Sequence, residues 1–397
     1  MLPGVRLDGA TRAHGLQGTQ LVAWVPGAVG LKIRPSSDAE FHLVLRRSQR
    51  LSLSERQAAE AFCAAFDRLY SEGPSQEHVI GLVPEDVVVN TACSVAKAPA
   101  AKGALTAQIA VLRSWASQTY EGQQISAGLA IGTASSDSNL TFGEYHELPA
   151  AKVLGDGVTT LCVFDSEGRH RQFAALSEPP RNGDTDFRSP FAFRRVAYWS
   201  SRNGRIATCL TRRGELLLFV RGEVTFIHRR GAWLHVNHDG AIATWTKIHD
   251  KEGLRGAVYA SALDVSFSRS GTCIAVVLGK NWQKIESMGV IQKADFVRPQ
   301  GAKGRMLATL VDGKRFQDLN REVRRQLLAM DGATILDSGG SVIAAGAIVR
   351  VPSGSSGGGR LAATRALAKF GFSVKVSADG EIKAFQGRSK IPVYVGL

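Results

Sequence analysis

Acidic residues, cysteines and long apolar runs are scarce in this sequence, and each scarcity narrows what the chain can be. Only 35 Asp and Glu oppose 49 Lys and Arg among 397 residues, leaving a formal net charge of +14. Such a balance favours anionic partners, whether nucleotide, nucleic acid or lipid surface, through long-range attraction. The five cysteines, Cys63, Cys93, Cys162, Cys209 and Cys273, are scattered with no CxxC pair. An odd number without metal spacing argues against a zinc site or disulfide framework and fits buried thiols in a reducing cytoplasm. The longest purely apolar run, 343–349, is far shorter than the roughly 18 residues that cross a bilayer. The start, Met1-Leu2-Pro3-Gly4-Val5-Arg6, has no apolar signal core, so the expectation is a cytoplasmic protein with no membrane association.

What is present suits a globular chain: 44% of residues are hydrophobic, and the length allows two domains with their own cores. The first 20 residues read as irregular. Strands are expected over 21–25 and 41–45, and Ser54-Glu55-Arg56-Gln57 reads as a capping box opening a helix with Ala59, Phe62, Phe66 and Leu69 on one face. A helix over 105–115 and strands over 125–131 and 158–164 complete an N-terminal α/β domain, 1–180, whose role the sequence does not give. The Pro-, Asn- and Asp-rich stretch 181–190 is the expected linker. Beyond it, 191–397 begins with short strands at 206–210, 216–220, 223–229, 232–236 and 241–245, joined by Gly turns into an antiparallel meander. A helix over 257–267, a buried strand over 273–278, a polar excursion over 279–315 and a helix over 316–330 follow. The last places Phe316, Leu319, Val323 and Leu327 on one face and Arg321, Arg324 and Arg325 on the others. The fold class is therefore α/β or α+β, with a central mixed sheet flanked by helices in the C-terminal domain.

Basic residues concentrate in two segments, seven Arg against two Glu in 201–235 and eight Lys or Arg against three acids in 297–325. No block of five like charges occurs, so solvated faces explain them as well as a nucleic-acid surface does. No DNA-binding motif accompanies them, and nucleic acid ranks last among the partners.

The chemistry concentrates in 331–385. Asp331-Gly332-Ala333 precedes a short apolar strand, and the loop Ser353-Gly354-Ser355-Ser356-Gly357-Gly358-Gly359-Arg360 opens directly into an Ala-rich helix. A Gly-rich loop at a helix start offers unpaired N–H groups at the positive end of the helix dipole, where phosphate or carboxylate collects. Arg360 sits unfavourably there unless an anion lies between it and the dipole. The plainer readings are a flexible Ser/Gly connection with a solvated Arg360, a tight bend at Asp331-Gly332, and a hairpin turn at Asp379-Gly380.

The order of Gly271-Thr272-Cys273-Ile274-Ala275, an amphipathic helix, Asp331-Gly332-Ala333, a loop ending in Arg before an Ala-Ala helix, and Val374-Lys375-Val376-Ser377 resembles the diadenylate cyclase domain over 257–397. The resemblance implies a nucleotide site of Gly271, Asp331, Gly332, Ala333, Gly357, Gly358, Gly359, Arg360 and Ser377, for an ATP-like ligand or a cyclic dinucleotide. It makes Asp331 the catalytic residue if the chain is active, and Asp331 with Asp379 the holders of Mg²⁺ or Mn²⁺; without activity no cofactor is implied. Two departures stand out. The family's Arg-His-Arg falls on Gly358-Gly359-Arg360, and its Ser-Glu-Glu on Ser377-Ala378-Asp379, which removes charge where phosphoryl transfer needs it. The expectation is a degenerate, sensor-like branch that recognises a nucleotide second messenger and signals to an effector protein in bacterial stress or anti-phage defence. The alternative is an active diadenylate cyclase making cyclic di-AMP from two ATP, which implies a homo-oligomer because active cyclases pair their sites face to face. Two echoes, Gly168-Arg169-His170-Arg171 and Asp156-Gly157-Val158-Thr159, read as coincidences of turn chemistry, with an internal duplication left open.

Overall fold

A computed structural model describes side chains over 85–132, 139–180, 188–229, 231–245, 253–298, 301–351, 358–389 and 391–393, at positions 53, 55, 57, 61 and 248, and the backbone of the strands within 6–46, of 76–84 and of 394–396. The chain divides into two compact units, Met1–Asn237 and His238–Leu397.

In the first unit, β1 (Arg6–Thr11), β2 (Gln20–Val25), β3 (Ala28–Ser36) and β4 (Ala39–Arg46) form an antiparallel sheet in the order β1-β4-β3-β2. The strands expected near 21–25 and 41–45 are present, and β1 occupies part of the stretch expected to be irregular. Most of the helix expected from Ser54 lies outside the described residues. Helices α1 (Gln76–Ala96) and α2 (Lys102–Trp115) come next. In α2, Leu105, Ile109 and Leu112 recur at helical spacing and are fully buried. The two-residue strands β5 (Thr119–Tyr120) and β6 (Gln123–Gln124) make a small hairpin. After them come β7 (Ala127–Ile131), α3 (Phe142–Glu147), β8 (Thr160–Phe164), β9 (His170–Ala175), α4 (Arg194–Ser200), β10 (Ile206–Leu210), β11 (Leu216–Val220), β12 (Glu223–Arg229) and β13 (Ala232–His235). The capping box that starts α3 is complete: Thr141 accepts from the Glu144 backbone, and the Glu144 carboxylate accepts from the Thr141 backbone.

Strands β7 to β13 form one sheet in the order β13-β12-β11-β10-β7-β8-β9. This corrects the expected division at 181–190. Strand β10 pairs with β7 residue for residue, Ile206 to Ile131 through Leu210 to Ala127, so strands before and after that stretch share one core. The Pro and Asn that signal a linker serve a connection within the unit, most of it outside the described residues. A second correction concerns 241–245. Its Asp239-Gly240 hairpin signal lies inside helix α5 (His238–Thr244), where Ala241 faces the core.

The second unit continues with α6 (Leu254–Ser268), β14 (Thr272–Val277), α7 (Asn281–Ser287), α8 (Ala302–Val311), α9 (Arg321–Ala329), β15 (Ala333–Leu336), β16 (Val342–Ala347), α10 (Gly359–Ala368), β17 (Gly371–Val376), β18 (Ile382–Gln386) and β19 (Tyr394–Gly396). The polar excursion over 279–315 thus contains two helices. The expected helix over 316–330 is a 3₁₀ turn, Phe316–Asp318, followed by α9, because Asn320 caps a fresh start through the Glu322 N–H. Its sheet runs β16-β15-β14-β17-β18-β19. Strand β14 lies parallel to β15 and antiparallel to β17, and every one of its residues is buried. Burial on both faces explains why Cys273-Ile274-Ala275-Val276-Val277 reads as a continuous apolar run. Filling such sites with Ile274 or Val276 contributes roughly 1.5–3 kcal/mol each. Both units are mixed α/β, as expected for the C-terminal half and for the N-terminal α/β domain.

Candidate functional site

Strands β14 and β15 run in the same direction and β17 runs against them, so the starts of β14 and β15 and the end of β17 share one end of the sheet. That topology gathers Gly271, Asp331-Gly332 and Ser377-Ala378, which are far apart in sequence, in one place. Helix α10 adds Arg360. A Cβ added to Gly271, whose φ is +68°, would stand 3.1 Å from Arg360 Nη1 and 3.4 Å from the Ala378 backbone nitrogen. The guanidinium therefore packs against the bare backbone of Gly271, and a side chain there would push it back by a few tenths of an ångström. Arg360 Nη2 is 3.9 Å from Asp331 Oδ1. The Arg360 side chain is 45% exposed and that of Asp331 91%, so this long contact is an open pair of charges rather than a locked bridge.

The backbone around Asp331 is fixed closely. Gly332 has φ +114°, and a Cβ there would fall 2.6 Å from the Gly346 carbonyl carbon and 2.7 Å from the Ala347 oxygen. Only glycine fits, for reasons of conformation and space together. Ala333 then enters β15, buried, opposite Cys273 and Ala347. Gly346 packs in turn on Asp331: its Cβ would meet the Asp331 carbonyl at 3.2 Å.

Lys303 supports this bend, and the sequence reading passed over it. Its ammonium donates to Asp295 Oδ1 at 2.6 Å and to the Gly346 carbonyl at 2.8 Å, while Asp295 Oδ2 accepts from the Ile348 N–H at 3.1 Å. Lys303 lies in the polar excursion over 279–315, where nothing in the sequence pointed to a partner in β16.

Helix α10 begins after Gly358, at φ +82°, with no side chain capping its first N–H groups and no acid in its first turn. Arg360 thus adds a positive charge to an uncompensated positive helix end. The helix is tied down by Thr364, whose hydroxyl donates to the Arg360 carbonyl at 2.7 Å and lies 3.2 Å from Cys273 Sγ. Ser373 of β17 donates to the Thr364 carbonyl at 2.7 Å. Burial pushes the Cys273 thiol up to about 11, the Thr364 hydroxyl opposing that only in part, so it is a packing group.

Gly358 and Gly359 take the expected places at the helix start, whereas Gly357 lies outside the described residues. Ser377 closes a tight turn. It donates from its backbone and its hydroxyl to the Glu381 carbonyl, and Gly380 donates back to Ser377. Asp379-Gly380 is therefore the hairpin between β17 and β18, the plainer of its two readings, held from behind by Ser266 of α6 donating to the Gly380 carbonyl.

Among the described residues no group of three or more His, Cys, Asp or Glu side chains is gathered as metal ligands. Mg²⁺ at a phosphate site typically keeps waters and takes one or two protein carboxylates together with the ligand's own oxygens, a part that falls to Asp331 among these site residues. Their arrangement offers an anion the Arg360 guanidinium and helix N–H groups that no side chain among the described residues caps.

No family model matches the chain, and no curated protein matches it. Among solved structures, one similar chain is a hypothetical membrane spanning protein from Bacillus cereus, at 13% identity and TM-score 0.29, covering 38% of this chain and 67% of that one. Another is a double mutant of DacA from Staphylococcus aureus, at 18% identity and TM-score 0.25, covering 36% of this chain and 89% of that one. Among the described residues no helix is long and apolar enough to cross a membrane.

Proposed function

We propose that the C-terminal unit recognises a nucleotide through its phosphates, as a sensor rather than a synthase. The observation that carries this reading is the placement of Arg360, against the backbone of Gly271, beside Asp331 and within the uncapped first turn of α10. A cation at a positive helix end is unfavourable alone and becomes favourable once an anion bridges guanidinium and N–H groups. Gly271 seats the Arg360 guanidinium, Gly358 lets the ligand approach backbone, and Asp331 to Ala333 form the neighbouring wall for base or ribose. The motif order that resembles diadenylate cyclases supports a nucleotide over a simple anion, and Gly358, Gly359 and Ala378 stand where catalysis would need charge. That resemblance also sets the context: a degenerate, sensor-like domain passing a second-messenger signal to an effector protein in stress or anti-phage defence.

Calorimetric titration of the full chain with ATP and with cyclic di-AMP tests the reading. Binding tighter than about 1 mM to at least one of them, lost in Arg360→Ala with the melting temperature unchanged, is the expected result. No binding to either ligand, or binding indifferent to Arg360, overturns it. Production of cyclic di-AMP from ATP with Mg²⁺ or Mn²⁺ that disappears in Asp331→Asn would establish the cyclase instead.

A further inference from the structure

The seven-stranded sheet of the first unit and the six-stranded sheet of the second are built on one plan. The second sheet, taken from its other edge, runs β19-β18-β17-β14-β15-β16, and the first runs β13-β12-β11-β10-β7-β8-β9. Apart from the added β13, each strand has a counterpart with the same partners and the same directions. Strands β7 and β14 are central and parallel to β8 and β15, and all the other pairs are antiparallel.

The turns repeat as well. Phe164-Asp165-Ser166-Glu167-Gly168 between β8 and β9 corresponds to Leu336-Asp337-Ser338-Gly339-Gly340 between β15 and β16. In each, the aspartate Oδ1 accepts from the N–H groups two and four residues on, and the glycine N–H donates to the aspartate carbonyl. Thr211-Arg212-Arg213-Gly214-Glu215 between β10 and β11 corresponds to Ser377-Ala378-Asp379-Gly380-Glu381, with the same pair of backbone bonds, first residue to glutamate carbonyl and glycine to first residue.

These two turns give independent alignments, and they agree. Matching Phe164 with Leu336 places Ile131 on Val276 across the parallel pair, and matching Leu210 with Val376 places Ala127 on Thr272 across the antiparallel one. Both statements put Leu129 on Ile274. In that register Thr159, not Asp156, stands at the place of Asp331. Asp156-Gly157-Val158-Thr159 and Gly168-Arg169-His170-Arg171 are therefore coincidental echoes, and the correspondence lies in the strands and turns instead.

The same register carries the candidate site across. Arg194 precedes Ile206 by the interval that separates Arg360 from Phe372, so Arg194 is the counterpart of Arg360. Its surroundings differ: Thr159 and Ser126 stand in place of Asp331 and Gly271, and Arg194 lies 4.0 Å over the Phe191 ring while its Nη1 donates to the Phe191 carbonyl at 3.1 Å. Arg194 donates from Nε and Nη2 to the two carboxylate oxygens of Glu178 at 2.9 and 2.8 Å, and Arg195 adds two bonds to Glu178 Oε1 at 2.8 and 2.6 Å. Ala174 faces Leu161 as Ala347 faces Ala333, which puts Val351 at the counterpart of Glu178, and among the described residues the Arg360 side chain has only the distant Asp331. The hydrogen bond from Arg195 foremost, with that from Arg194, holds the Glu178 carboxyl below its ordinary range against the opposing effect of burial.

We propose that the chain is a tandem duplication whose first copy retains the anion-contacting arginine as Arg194 and fills its place with the Glu178 carboxylate, holding a second site for a phosphate-bearing ligand shut in cis. A bidentate carboxylate on a guanidinium is the geometry a phosphate would adopt, so Glu178 is an internal substitute for ligand. The inference rests on Arg360 being an anion contact, as proposed above.

The test titrates the full chain with ATP. Wild type is expected to bind one equivalent. Glu178→Ala is expected to bind two, the added equivalent persisting in Glu178→Ala with Arg360→Ala and vanishing in Glu178→Ala with Arg194→Ala. No Arg194-dependent gain, in a Glu178→Ala chain melting with wild type, overturns the inference. Glu178→Ser provides the same readout should the alanine variant be misfolded. Failure of the reading at Arg360 is seen separately, as wild-type binding indifferent to Arg360→Ala.

Discussion

Arg321 donates from Nε and Nη2 to both carboxylate oxygens of Asp264, at 2.7 and 2.8 Å, with the two side chains 9% and 1% exposed. The pair staples α9 to α6 beneath the sheet that carries the candidate site. Removing one partner strands a buried charge, which typically costs about 3–5 kcal/mol. Arg321→Met and Asp264→Leu are each expected to lose stability on that scale in urea unfolding, and the double variant to recover most of it. If the two single losses simply add, the pair is not coupled as described.

Gly332→Ala should destabilise the second unit by about 2–4 kcal/mol, since it combines a left-handed backbone with a Cβ 2.6 Å from the Gly346 carbonyl carbon. Gly359→Ala, in helical backbone, should change stability by no more than about 0.5 kcal/mol. Guanidinium denaturation of the two variants side by side checks the contrast, and equal losses would contradict the geometry at Gly332.

The described cysteines should be silent in the native state. Burial pushes Cys93 up to about 11, against the opposing charge of Lys102, and Cys162 up to about 12, while Cys209 is raised as well and Cys273 rises to about 11. The reactive species is the thiolate, so at pH 8 none of the four should react with Ellman's reagent before unfolding. Rapid native labelling of any of them, mapped by mass spectrometry, would show that its packing is wrong.

Asp156 gives the first unit an acid limit. Burial would raise its carboxyl, but hydrogen bonds from the Thr159 hydroxyl and from the Val158, Thr159 and Thr160 N–H groups outweigh that and hold it below its ordinary value. A depressed folded value means that the stabilisation is present above the unfolded aspartate value, near pH 4, and is lost as pH falls through the folded one. Thermal melts between pH 6 and pH 2.5 should show Asp156→Asn less stable than wild type at pH 6, with the gap narrowing below about pH 4. A gap independent of pH would count against this account.

Sequence patterns carried the fold well where one residue type has one physical meaning. The unbroken apolar run of β14, the helical spacing of Leu105, Ile109 and Leu112, and the Gly turns between β10 and β13 all led to the elements found. They misled where a local rule yields to tertiary context. Asp239-Gly240 is a turn dipeptide in isolation but sits in α5, because Ala241 and Trp245 bury into the second core. Arg321 and Arg324 look like solvent residues, yet Arg321 meets Asp264 and Arg324 lies over the Phe316 ring at 5.9 Å, both largely buried. The candidate site was half legible. Asp331, Gly332 and Arg360 announced themselves by glycine chemistry and by a cation at a helix start, whereas Lys303 and Thr364 act through partners that only the folded sheet brings near.

Strand β14 sits between a parallel neighbour roughly 60 residues downstream and an antiparallel one roughly 100 residues downstream. During synthesis it leaves the ribosome with both hydrogen-bonding edges bare and stays so for many seconds, at elongation rates of about 5–20 residues per second. The most apolar strand of the second unit is thus the one left longest without partners, which makes nascent chains paused before β17 natural clients for chaperones.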